Sequence, residues 1–415
     1  MSINLKSNIF YLFLLQCAQY ILPLLTFPYL VRVLGVDGFG ALAFCAATMA
    51  YPILVMEFGF GLTGTANVSK LRSDPLKLNE FFWAVFFSKI LLGGGALLIL
   101  ILTTSLISMY DDLALVLIAL IPMLIGNLLF PIWFFQGIEK MRYVTICSIL
   151  GRVLTIPFVF VFVNSPGDIW IAALLQSSAF LLSGLIALII LKKDKLVGRV
   201  EYDRKAIMTC MKDGWHVFLS TASVNLYTSS TPIILGFIAG TSAVAYFKVA
   251  ETIVNAFKGL MRPVFQSVFP RLAYSFTVDV RESMFFLRKL LKITCAVSFL
   301  FTVVAIGLSE QLVGVLAGED YGNSVNILII LSLTILISSI NNIIGVQTLL
   351  PLGYKKQFSE VLLFSGLVSF LLSFTLSYLY EGVGAALAIV LTELVVFSCL
   401  LVICGKNGVR YFRFN

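Results

Sequence analysis

The chain has 415 residues, 60% of them apolar and 12% charged, with a net charge of +8 and a mean hydropathy of +1.01. Soluble domains are about half apolar and about a quarter charged, so these values exclude a soluble multidomain protein, a disordered chain and a secreted disulfide scaffold. The apolar runs are long and continuous rather than short and alternating, which excludes a β-barrel and leaves a polytopic α-helical membrane protein.

Apolar runs of about 20 residues, bounded by charge or by Gly, Pro, Asn and Asp clusters, predict twelve spans. In chain order they cover roughly 9–34, 41–66, 80–107, 114–135, 144–163, 169–191, 215–239, 244–270, 289–309, 323–350, 359–380 and 384–404. The first follows Lys6 in the manner of a signal peptide, but it is too long and no small-residue cleavage site follows, so it is read as a span. Of the 29 Lys and Arg residues, 22 lie in the N-terminus, the loops after even-numbered spans, or the C-terminus. The six opposite loops hold none, although they carry acids such as Asp37, Asp111, Asp168, Glu319 and Glu381. Positive charge collects on the cytoplasmic side, so both termini are expected there. The net charge then faces an anionic lipid leaflet and calls for no nucleic acid partner.

Residues 192–214 hold Lys192, Lys193, Lys195, Arg199, Arg204, Lys205 and Lys212 and divide the chain near its midpoint. The division predicts an N-terminal six-helix lobe at 1–191, a basic cytoplasmic linker at 192–214, a C-terminal six-helix lobe at 215–404 and a tail at 405–415. An even number of spans per lobe makes the two lobes parallel repeats. Pro28 and Pro232, 204 residues apart, overlay the end of span 1 on the end of span 7. The seven cysteines form no C-x-x-C pair and read as small core residues; the single histidine, His216, excludes a His-cluster metal site. No G-x-x-x-x-G-K-[ST] phosphate loop occurs, so neither a metal nor a nucleotide cofactor is expected.

Polar residues inside the spans carry the functional signal. Span 1 aligns Gln16, Gln19, Pro23 and Thr26, with Arg32 near its outward end. Span 2 presents a small-residue face, Ala43, Ala46, Ala50, Gly61 and Gly64, around Glu57, a lone acid that needs a partner or a proton. Lys89 in span 3, Arg152 in span 5 and Lys292 in span 9 are expected to snorkel to the cytoplasmic interface. Span 7 repeats His216, Ser220, Ser223, Tyr227 and Ser230 at helical spacing. Span 8 repeats Lys248, Glu251, Asn255, Lys258 and Arg262 at spacings of 3, 4, 3 and 4, a stripe about 80° wide and about 21 Å long. Pairing of Lys248 with Glu251 leaves positive charge over. Asn341, Asn342 and Gln347 in span 10 and Glu393 in span 12 are assigned to helix–helix hydrogen bonding. Spans 1, 2, 7 and 8 together predict a central, net cationic cavity suited to an anionic, hydroxyl-rich ligand.

The run Phe27-Pro28-Tyr29-Leu30-Val31-Arg32-Val33-Leu34-Gly35, followed by Gly38-Phe39-Gly40, resembles the first-helix signature of bacterial Wzx-type O-antigen flippases. These belong to the multidrug/oligosaccharidyl-lipid/polysaccharide exporter superfamily. Trp133-Phe134-Phe135-Gln136-Gly137 with Glu139-Lys140-Met141, Ala250-Glu251 and Pro270-Arg271-Leu272 fit the same pattern. The resemblance implies a MATE-like alternating-access fold that moves an undecaprenyl-diphosphate-linked oligosaccharide from the cytoplasmic to the periplasmic leaflet, with no covalent chemistry. A proton, sodium or the membrane potential could each drive such a cavity, and the protein could work alone or docked to an O-antigen polymerase and chain-length regulator. Arg32 and Glu251 match family positions, whereas Lys248 stands where a small residue is commoner. The expected binding residues are therefore Arg32, Lys248, Lys258, Arg262, Asn255, Ser223 and Tyr227, with Glu57 and Glu251 balancing charge or coupling an ion. An ion-coupled multidrug antiporter would need a cavity with excess acid, and a glycan polymerase or ligase would need longer outward loops.

Overall fold

The computed structural model describes residues 2–228 and 230–407, and at Ser220, Ser223 and Tyr227 it describes the helical backbone alone. The first helices are α1 (Ser2–Glu57), α2 (Phe60–Leu71), α3 (Pro75–Leu106), α4 (Ala114–Leu129), α5 (Ile132–Gly137), α6 (Met141–Phe162) and α7 (Ile169–Lys193). They are followed by α8 (Arg204–Thr228), α9 (Ser230–Val278), α10 (Val280–Gly307), α11 (Ser309–Leu316), α12 (Asn323–Ile344) and α13 (Lys355–Lys406). Among the described residues there is no strand.

Nine helical stretches among the described residues are long and apolar enough to cross a bilayer, against twelve predicted spans. Three backbone breaks account for the difference. α1 is interrupted at Gly35 (φ 67°, ψ −178°), α9 at Gly240 (φ 82°, ψ 174°) and α13 at Tyr380–Glu381, where Glu381 has φ 50° and ψ −128°. Each break falls at one of the short outward turns predicted between spans 1 and 2, 7 and 8, and 11 and 12. Gly35 and Gly240 share a region of backbone space that only glycine enters readily, and they lie 205 residues apart, within one residue of the offset between Pro28 and Pro232. A Cβ would meet nothing within 4 Å at either glycine, so an alanine there is opposed by torsional strain alone. Gly35→Ala and Gly240→Ala are each expected to destabilise by about 1–3 kcal/mol. Thermal unfolding in detergent checks this, with Gly61→Ala, also in open space but in ordinary helical backbone, as the neutral control.

The chain packs as two compact units, Met1–Ala222 and Ser223–Asn415. In the first, α7 lies between α4 and α6, and α1 packs on α3, α4 and α6. In the second, α9 packs on α12 and α13, and α10 on α12. The basic loops of the first unit meet one another. Arg72 Nη1 bonds Glu139 Oε1 at 2.8 Å, Asn79 Nδ2 donates to the Arg199 carbonyl at 2.9 Å, and the Tyr143 hydroxyl donates to Asp194. In the second unit, Asn407 Nδ2 reaches Gln357 Oε1 at 3.3 Å. Loops that the charge count put on one side of the membrane are thus neighbours within each unit. Helix starts between spans are fixed by acids: Asp74 caps α3, where the Lys77 N–H holds its carboxyl below the ordinary range, and Asp279 caps α10.

Candidate functional site

The second unit contains a cavity of about 440 Å³ between α9, α12 and α13, within the size range of small-molecule sites. Four of the five stripe residues on α9, Glu251, Asn255, Lys258 and Arg262, line it. α12 contributes Thr334, Ser338, Ser339 and Asn342, and α13 contributes Glu393. Lys248 stands outside the lining and binds Glu251 Oε2 at 2.7 Å, the pairing its three-residue spacing predicts. Among the described residues neither the Lys258 ammonium nor the Asn255 amide has a hydrogen-bond or ion-pair partner within the protein. Lys258 lies within electrostatic reach of Glu393, Glu251 and Arg262.

The two sides of the cavity differ in chemistry. α9 supplies donors, from Lys258, Arg262 and the Asn255 amide. On α12 the hydroxyl protons are already used: Thr334 donates to the Leu331 carbonyl at 2.6 Å, Ser338 to Thr334 at 2.6 Å and Ser339 to Ile335 at 2.7 Å. What those hydroxyls can present to a ligand is therefore their oxygens, as acceptors. Phosphate oxygens suit the first side and sugar hydroxyls the second.

The charge of the lining is more evenly balanced than the α9 stripe alone suggests. Glu393 does hydrogen-bond between helices, accepting from Asn341 Nδ2 at 2.7 Å, but it also opens on the cavity. The lining thus holds two cations and two carboxylates, and the surplus of one positive charge comes from Lys248 neutralising Glu251. Gln347 stays structural, donating to the Phe265 carbonyl at 3.0 Å from a π turn, Gly345–Leu349, that continues α12. The α12 residues were legible in principle: Thr334, Ser338 and Asn342 are spaced four apart, which also keeps them near one face of a helix.

The remaining candidates lie elsewhere. Arg32 is exposed on α1, three residues before the Gly35 break, and lines neither this cavity nor the one in the first unit described below. The side chains of Ser223 and Tyr227 lie outside the described residues. Ser230, from the same stripe, is buried, and His216 is exposed on α8. Glu57 has the partner it needs, but in an unexpected residue. Lys89 does not snorkel: its side chain is 1% exposed, and its ammonium bonds Glu57 Oε1 at 2.8 Å and the Asn127 carbonyl at 2.9 Å. The physical reason is depth. Glu57 and Lys89 lie sixteen residues either side of Ser73, so folding spans 2 and 3 as a hairpin brings them level. Trp133, Phe134 and Phe135 are buried in the aromatic core of the first unit, where Phe82 packs on Trp133 and Phe134, so this part of the family-like motif is structural.

Comparison with known proteins adds to this geometry. The family described as "Polysaccharide biosynthesis protein" matches residues 5–276. The chain is 40% identical over 405 residues to the "Putative O-antigen transporter" of Escherichia coli (strain K12), covering 98% of each chain. Among solved structures it is similar to the lipid II flippase MurJ in an inward closed conformation, with a TM-score of 0.74 at 15% identity, over 95% of this chain and 87% of that one. It is also similar to an inward-facing multidrug resistance MATE family transporter of the MOP superfamily, with a TM-score of 0.66 at 14% identity over 94% of each. At those identities the two structures establish a shared MATE-like fold.

Proposed function

The chain belongs to the polysaccharide biosynthesis protein family, and from that premise we propose that it is a flippase for an undecaprenyl-diphosphate-linked O-antigen repeat unit. It is an integral membrane transporter rather than a bond-making enzyme. In this reading the substrate moves from the cytoplasmic to the periplasmic leaflet of the bacterial inner membrane, and both termini are cytoplasmic because the basic loops are. Lys258 and Arg262 hold the diphosphate, Asn255 and the α12 oxygens hold the proximal sugars, and Arg32, Ser223 and Tyr227 are assigned to the same substrate. Lys248 acts through Glu251. Glu57 and Glu251 balance charge, since each already holds a lysine at 2.8 and 2.7 Å. A proton or sodium gradient supplies the coupling, and a polymerase and chain-length regulator use the product. The observation that carries the reading is the pairing of donors on α9 with hydroxyl acceptors on α12 around one cavity. An antiporter of cationic drugs would need surplus acid there, and the balance runs the other way by one charge.

The test replaces Lys258 and Arg262 together by Gln and follows a radiolabelled lipid-linked repeat unit across inverted membrane vesicles. Each lost charge-assisted contact is worth about 1.5–3 kcal/mol, so translocation is expected to fall about 100-fold or more while insertion and thermal stability are retained. A normal rate in the folded variant would remove the α9 residues from the transport path.

A further inference from the structure

We infer that the first unit carries a separate binding site for the phosphate end of an anionic amphiphile, centred on Arg152 and Gln176. The inference does not rest on the transport reading. Arg152 sits eleven residues into the 22-residue helix α6, about 16 Å along its axis. An uncompensated cation that deep costs about 2.5–3.5 kcal/mol on the insertion scale, so such residues are paired, snorkel or serve a ligand. The same unit pairs its other mid-span cation, Lys89, with Glu57.

Arg152 does not follow that pattern. It lines a cavity of about 280 Å³ between α1, α6 and α7, with its guanidinium carbon 6.0 Å from the centre of the Phe180 ring. Among the described residues no carboxylate lies within 4 Å of that guanidinium, and it makes no hydrogen bond to the protein. Gln176 on α7 lines the same cavity, and its amide likewise has no hydrogen-bond partner among the described residues. Two threonines in the wall offer no donors, because Thr26 donates to the Pro23 carbonyl at 3.2 Å and Thr155 to Arg152 at 3.0 Å. The wall is otherwise mostly apolar, as at Leu22, Phe27, Ile156 and Leu175.

This combination selects the ligand class. A guanidinium presents two parallel N–H donors to phosphate oxygens, and the Gln176 amide can donate to a third. Sugars would find too few polar partners on the remaining wall, whereas an acyl or prenyl chain suits it. At about 280 Å³ the cavity takes a head group and the first part of a chain, below the usual range for larger ligands. Bilayer phospholipids and polyprenyl phosphates share this chemistry.

The test uses the full chain in phosphatidylcholine nanodiscs doped with phosphatidylglycerol that bears a photoreactive diazirine near the head of its acyl chain. Adducts are expected on peptides containing residues 22–30, 152–159 or 175–180, and Arg152→Gln should lower their yield about tenfold, with partial retention in Arg152→Lys. Photoreactive phosphatidylcholine should give at most a tenth of that yield. Displacement by unlabelled undecaprenyl monophosphate would identify a polyprenyl phosphate as the occupant, and undiminished labelling would identify a bilayer phospholipid; either result supports the site. Labelling that is unchanged in Arg152→Gln, or equal for the two lipids, overturns it. If Arg152→Gln does not fold, Gln176→Leu takes its place, with an expected loss of about fivefold, and an unchanged yield is then the overturning result.

Discussion

Replacing Glu57 by Ala is expected to destabilise the first unit by about 3–5 kcal/mol, the range measured when one member of a buried ion pair is left alone. The cost falls on Lys89, whose side chain is 1% exposed and would keep only the Asn127 carbonyl as a partner. The reverse substitution, Lys89→Met, should cost much less, because Glu57 is 36% exposed and can be hydrated once its partner is gone. Met also fills much of the volume of the lysine stem. The double variant Glu57→Ala/Lys89→Met should therefore recover most of the stability lost in Glu57→Ala. Thermal unfolding of the four proteins in detergent closes the cycle, and additive effects would show that the two side chains do not interact.

Gly126→Ala is expected to be at least as damaging, for a steric reason. α4 and α7 cross so closely at this point that a Cβ on Gly126 would lie 2.2 Å from the Phe180 carbonyl carbon and 2.4 Å from the Leu181 nitrogen. Both obstacles are backbone, so no rotamer change relieves them and the helices must move apart. A Cβ at Gly184, opposite, would meet the Gly126 carbonyl oxygen at 2.8 Å, so the two glycines form one seam of the small-residue kind that membrane helices use for close approach. Overpacking usually costs about 1–3 kcal/mol; with no side chain able to give way, about 3 kcal/mol or more is expected here. The readout is the fraction of protein recovered as a monodisperse peak after purification, which should fall severalfold, while Gly95→Ala, which faces open space, should leave it unchanged.

The polar stripe on α9 shows what a sequence can reveal without a structure. Helical periodicity fixes which residues share a face, so Glu251, Asn255, Lys258 and Arg262 emerge together, as does the Lys248–Glu251 pair three residues apart. The three turns at Gly35, Gly240 and Tyr380–Glu381 were similarly legible, because charge and turn residues interrupt the apolar runs there. What periodicity does not encode is which helix a face meets. Glu393 and the α12 hydroxyls reach the same cavity only through the packing of α12 and α13 against α9, and Glu57 meets Lys89 only through a hairpin. The surroundings of Arg152 were hidden for the same reason: its distance from the helix end says nothing of α1 and α7, which make a cavity around it. For the span 7 stripe, the side chains of Ser223 and Tyr227 lie outside the described residues.

The Glu57–Lys89 pair also bears on how the protein enters the membrane while it is being made. Each of the two segments carries a charge that opposes insertion by about 2.5–3.5 kcal/mol if it enters lipid alone. Glu57 leaves the ribosome 32 residues before Lys89, and Asn127, whose carbonyl completes the site, follows 38 residues later. The second span is therefore best held at the insertion machinery until the third arrives, so that acid and amine neutralise each other before either crosses into lipid. A photocrosslinker placed in the second span should label the insertion machinery in nascent chains arrested before Lys89 has emerged, and should label lipid in chains extended past Lys89.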